Sequence, residues 1–149
     1  MTKSASEIAE EMRAVALDRA KSRELLASLF ADNVELRHLP ARPADGPIAG
    51  SFLAEVSRRE VEALPRALPD AVHDEAVITV EGDAIRVLGH TSGTLPDGTT
   101  IDVRTNTLLT IANGVIVALQ SDMDAASMEA WQKVLAAGGF EAPPRTAAG

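Results

Sequence analysis

Residues 90–131 read HTSGTLPDGTTIDVRTNTLLTIANGVIVALQSDMDAASMEAW, from His90 to Trp131. Two turn signals divide the stretch, Pro96-Asp97-Gly98 and Asn113-Gly114, and alternating β-branched runs flank both. The period predicts strand, turn, strand, turn, strand, with the long strands at Thr99 to Thr110 and Val115 to Met123. Asp124 then caps a helix containing Met128, Trp131 and Leu135, which Gly138-Gly139 terminates. A meander of this length can form a curved sheet that cups a small molecule.

Upstream, Ala76 to Val80 and Ala84 to Gly89 flank Glu81-Gly82-Asp83, a tight hairpin. Before Ala76 the pattern is mostly helical. Ser6 is placed as the N-cap of a first helix with Ile8, Met12, Val15 and Ala16 at helical spacing, and a second covers Lys21 to Phe30. A short strand, Val34 to Leu39, closes at Pro40, and Ala41 to Gly50, with two Pro and two Gly, is expected to be a loop. Phe52 to Leu64 reads as a third helix stopped by Pro65. Helices first and strands afterwards imply an α+β fold, with N-terminal helices on the concave face of one strongly curved, mostly antiparallel sheet. Residues 1–140 are expected to form this single domain, and 141–149, with Pro143-Pro144, a frayed tail.

Composition narrows the chemistry. The 149 residues carry a formal net charge of −8, which argues against a nucleic-acid surface. Zero Cys removes disulfides, thiolate catalysis and cysteine zinc sites. There is no Tyr, and there are three His. No window approaches the roughly 18 apolar residues of a membrane span, and Glu7, Glu10 and Glu11 interrupt any signal-peptide core. The expectation is a soluble, cytoplasmic protein with no cofactor and no metal, bound neither to nucleic acid nor to membrane.

The order of elements resembles the cystatin-like cone of the nuclear-transport-factor-two-like superfamily, and within it the SnoaL-like polyketide cyclase group. The resemblance spans about Ile8 to Phe140 and rests on three stretches. These are Leu29-Phe30-Ala31-Asp32-Asn33-Val34, Leu68-Pro69-Asp70, and Asn113-Gly114-Val115-Ile116-Val117 leading to Ser121-Asp122-Met123-Asp124. It implies a cone-shaped domain enclosing a pocket, in a superfamily that holds both enzymes and proteins with no catalysis. SnoaL-like cyclases place an acid on the final strand facing the cavity. Aligned on the Asn-Gly turn, that position is Ser121 here, and Asp122 reaches the cavity only through a bulge. The carboxylate set of limonene epoxide hydrolase and the tyrosine of ketosteroid isomerase are missing. By the same resemblance, the counterparts of the pocket-histidine pair of scytalone dehydratase are His38 and His90.

That alignment gives the expected cavity set. Leu88, His90 and Ser92 come from one strand, Val103, Thr105 and Thr107 from the next, and Leu119, Ser121 and Met123 from the last. His38 enters from the first strand and Phe52 closes the mouth. His90 is the expected main proton carrier, with His38 as its partner and Asp122 as the carboxylate candidate. His73 is assigned to a strand edge, Asp102 and Arg104 to the opposite sheet face, and Trp131 to core packing. Three functions remain open. The first is a cyclase, isomerase or dehydratase acting on a small apolar polyketide-, terpenoid- or steroid-like molecule. The second is a non-catalytic binder with the same pocket. The third is an interaction module using its outer sheet face, and homodimerisation through that face is expected on all three.

Overall fold

Ten elements follow one another in the computed structural model, which describes residues 2–144. They are α1 (Ala5–Ala14), α2 (Arg19–Leu29), β1 (Phe30–Leu39), β2 (Gly46–Ala49), α3 (Gly50–Ala67), β3 (Val72–Glu81), β4 (Ala84–Thr94), β5 (Thr100–Ala112), β6 (Val115–Asp122) and α4 (Ala125–Ala137). Part of the expected tail, Arg145 to Gly149, lies outside the described residues.

Local chemistry sets the boundaries. The first helix is capped by Ser4 rather than Ser6, because Ser4 and Glu7 form a reciprocal capping box. Asp18 and Asp124 cap α2 and α4 through bonds to the backbone N–H groups of Lys21 and Ser127. Pro65 lies inside α3, in its last turn, and does not stop it. The stretch expected to be a loop contains β2, a four-residue edge strand paired antiparallel with β1. At the β5–β6 turn Asn113 and Gly114 both have positive φ, 53° and 77°, as a two-residue type I′ hairpin requires.

The six strands form one mixed, open sheet in the order β2-β1-β6-β5-β4-β3. Its pairs are antiparallel except β1 with β6, which run parallel. Register breaks at His73/Glu75, Thr110/Ile111 and Phe30/Glu35 help bend it. Helices cover one face, and the apolar core there is divided in two. One cluster joins Ile8 and Met12 of α1 and Leu29 of α2 to Ile85, Leu109 and Ile116. The other joins Leu64 and Ala67 of α3 and Val134 of α4 to Ile101 and Val103. The inner face of β5 records the division. It runs Ile101, Val103, then Thr105, Thr107, then Leu109, Ile111, apolar at both ends with hydroxyls between. Among the described residues no helix is long and apolar enough to cross a membrane.

Candidate functional site

The space between the two core clusters is a cavity of about 550 Å³, a size suited to a small organic ligand. Its floor is set by strand register. His38 on β1 pairs with Ser121 on β6, and Ser121 pairs with Thr107 on β5. Paired residues share a face, so an imidazole and two hydroxyls stand in one row at the cavity. Thr105 is opposite Gly89 of β4, where a Cβ would come within 2.8 Å of the Thr105 hydroxyl. The missing side chain leaves that hydroxyl open to the cavity.

Of the residues expected there, His38, Phe52, Val103, Thr105, Thr107, Leu119, Ser121 and Met123 line the cavity. The assignments on β4 need correction by one residue. Val87, Gly89 and Thr91 pair with the inward Thr107, Thr105 and Val103, so Leu88 and Ser92 face the other way, opposite Asn106 and Asp102. His90 shares that outward parity. It borders the cavity, yet its ring is held between two carboxylates, Nδ1 2.5 Å from Asp74 and Nε2 2.6 Å from Asp102. Those two contacts, Asp74 first, push the His90 imidazole above its ordinary pKa. Asp122 pairs with Asn106 on the outer face and is exposed; no register break near it turns it inward. His38, His90 and Asp122 therefore do not converge.

His38 has a partner that was not anticipated. Its Nδ1 lies 2.5 Å from Oδ1 of Asp45, in the β1–β2 loop. Oδ2 of Asp45 accepts from the backbone N–H groups of His38 and Arg42, both at 3.0 Å. These bonds, led by the Arg42 N–H and followed by the His38 ring, pull the Asp45 carboxyl down to about 2. An ionised carboxylate accepts, so Nδ1 carries the proton and Nε2 is the basic nitrogen. Nε2 has no hydrogen-bond partner among the described residues. The pair has the orientation a general base needs.

The opposite wall is charged. Arg19, the first residue of α2, lies over Trp131 of α4 with its guanidinium carbon 5.0 Å from the ring centroid. Glu60 of α3 accepts from Trp131 Nε1 at 3.1 Å and pairs with Arg23 at 3.5 Å. Burial, reinforced by Arg23 and opposed by Glu60, pushes Arg19 down to about 9. His73 shares a 2.6 Å bond with the Thr91 hydroxyl, and burial, then Arg19 and Arg23, hold its imidazole below the ordinary value. All of these residues line the cavity. Trp131 is thus a wall of the cavity as well as a packing residue, and His73 faces inward from edge strand β3.

No family model matches this chain, and no curated protein matches it. Solved structures do, and they show the fold to be NTF2-like, or cystatin-like. An NTF2-like protein from Burkholderia thailandensis superposes with a TM-score of 0.61 at 17% identity, covering 87% of this chain and 98% of that one. A cystatin-fold protein of unknown function from Xanthomonas campestris gives 0.60 at 16%, covering 87% and 97%. TerC, co-crystallised with polyporic acid, gives 0.55 at 19%, covering 84% and 98%. Proteins with provisional SnoaL-like polyketide cyclase assignments are also among the matches, including one from Jannaschia at a TM-score of 0.52 and 20% identity, covering 92% and 94%.

Proposed function

We propose that this NTF2-like chain is a small-molecule enzyme of the cyclase, isomerase or dehydratase type, with His38 as its proton carrier and Asp45 as the group that orients it. The observation carrying this is the His38–Asp45 contact at 2.5 Å, with the other imidazole nitrogen left for the cavity. The imidazole takes a proton from a carbon beside a substrate carbonyl and returns it to another position or to a leaving hydroxyl. Ser121 and Thr107, in the same row, donate to the carbonyl oxygen as charge builds on it. The apolar wall of Leu36, Phe52 and Leu119 suits a hydrocarbon skeleton. Polyporic acid in crystals of TerC supports an organic ligand for this fold.

Proton transfer can be tested without the natural substrate. In D₂O the protein should accelerate α-hydrogen exchange of α-tetralone, followed by proton NMR. His38→Ala should reduce that acceleration by on the order of 10²–10⁴-fold, the range of a positioned acid–base group. Exchange that is unchanged in His38→Ala, in a folded variant, rules out the assignment. A wild type that binds the ketone with no exchange favours the non-catalytic binder.

The same reading takes the outer sheet face as the face a second copy covers. Leu39, Val72 and Val77 are exposed there at 46%, 52% and 44%. Sedimentation equilibrium should give a dimer; a monomer at high protein concentration counts against it.

A further inference from the structure

The charged wall has more donors than its own acceptor can satisfy. Arg19 and Arg23 bring two guanidinium groups to it, and Glu60 is the carboxylate that pairs with Arg23 and acts on Arg19 through its charge. The oxygens of Glu60 are already committed, one to Arg23 and the other to the Trp131 indole. Arg19 Nε is buried with no hydrogen-bond partner among the described residues. So is the hydroxyl of Ser57, one helical turn before Glu60 on α3, and it lines the same cavity. Buried donors of this kind are uncommon and costly, a guanidinium more than a hydroxyl. His73 adds no acceptor charge, since its imidazole is bonded to Thr91. The result is an excess of positive charge at one end of a largely apolar chamber, inside a chain whose net charge is −8.

We infer that Arg19, assisted by the Ser57 hydroxyl, receives an acidic oxygen of the ligand, so that the natural ligand is an apolar molecule bearing a carboxylate or an equally acidic enol. A planar guanidinium already stacked on an indole is held for such a group, because its fork geometry matches a carboxylate and stacking fixes its plane. The inference rests on the reading of this cavity as a small-molecule site. It sets polarity as well as class, with the acidic end at Arg19 and the reacting carbon toward His38.

Trp131 is the single tryptophan of the chain and sits against Arg19, so its emission reports occupancy directly. The full chain is titrated with adamantane-1-carboxylate and, separately, with adamantane-1-carboxamide. The carboxylate should change the emission and bind at least about tenfold more tightly, as a charge-assisted hydrogen bond implies. Arg19→Gln should abolish that preference. Glu60→Gln keeps an acceptor for the indole while removing the competing charge, and should tighten the carboxylate. Equal binding of both probes to the wild type, or an intact preference in Arg19→Gln, overturns the inference. Should Arg19→Gln fail to fold, Glu60→Gln decides, and unchanged or weaker carboxylate binding overturns it. Binding is read here without chemistry. Loss of ketone exchange with the carboxylate preference intact therefore removes the role of His38 and leaves that of Arg19.

Discussion

Two apolar residues three positions apart on β6 provide a test of whether the chamber exists in solution. Ile116 is fully buried in the cluster beneath α1 and α2, whereas Leu119 packs on the edge of that cluster and borders the cavity. Truncating either to Ala removes three carbons. At roughly 0.8 kcal/mol per buried CH₂ the transfer loss at Ile116 is about 2.4 kcal/mol, and the void left in a close-packed region raises the total to about 3–5 kcal/mol. Leu119 already has open space on one side. Roughly half the transfer loss applies, with little new void, so its cost is about 1–1.5 kcal/mol. Urea unfolding followed by circular dichroism measures both. With a slope of roughly 2 kcal/mol/M, the two midpoints should differ by about 1–2 M. Equal costs would mean that Leu119 is as tightly surrounded as Ile116. The chamber would then be collapsed in the free protein, and the functional reading would lose its premise.

Other outcomes follow from single contacts. A Cβ on Gly50 would lie 1.9 Å from the carbonyl oxygen of Ala31, which is backbone and cannot swing away. Gly50→Ala should therefore destabilise by about 3 kcal/mol or more, seen as a fall in Tm of roughly 2–4 °C per kcal/mol; a fall of a degree or two refutes the close approach. The Asp74–His90–Asp102 cluster sets a pH window. His90 is raised, so its contribution is complete below about pH 6.5 and fades as pH climbs through the raised value. Asp74 is lowered by the same contact, so its share is present above about pH 3.9 and is lost as pH falls. His90→Gln should flatten the Tm–pH profile on both sides of that window, and a profile merely parallel to the wild type refutes the linkage.

Much of the frame was legible because turns and caps are local. Asn113-Gly114 and Gly138-Gly139 ended their elements where expected, with Gly114 and Gly139 at positive φ. The residues expected to face inward from β5 and β6 came from the family alignment, and they line the cavity although a register break at Thr110/Ile111 separates them from the two-residue turn. The β4 set came from the same alignment, which fixes no register across the longer connection through Leu95 to Thr99, and it slipped by one residue. That slip put Leu88, His90 and Ser92 on the wrong face. Asp45 was passed over because Ala44-Asp45-Gly46-Pro47 reads as turn punctuation, and nothing local indicates that its carboxylate reaches back to His38. Arg19, Glu60 and Trp131 lie on three different helices, so their meeting depends on helix packing that no spacing within one segment encodes. A weak trace existed. Arg19 and Arg23 are separated by four residues, as one helical face requires, within an otherwise acidic chain.

The parallel seam between β1 and β6 carries a consequence for biogenesis. Its partners stand more than eighty positions apart, as with Leu36 and Leu119 or His38 and Ser121. On a ribosome the first half of the polypeptide can form α1, α2 and the small β1–β2 ladder. It cannot complete the sheet until residue 122 has left the exit tunnel. For that interval β1 exposes an unpaired edge next to the uncovered apolar faces of α1 and α2, an arrangement prone to association between nascent chains. His38 acquires its neighbours Ser121 and Thr107 in that last step, so the row of side chains at the cavity is assembled only after synthesis of the domain is essentially finished.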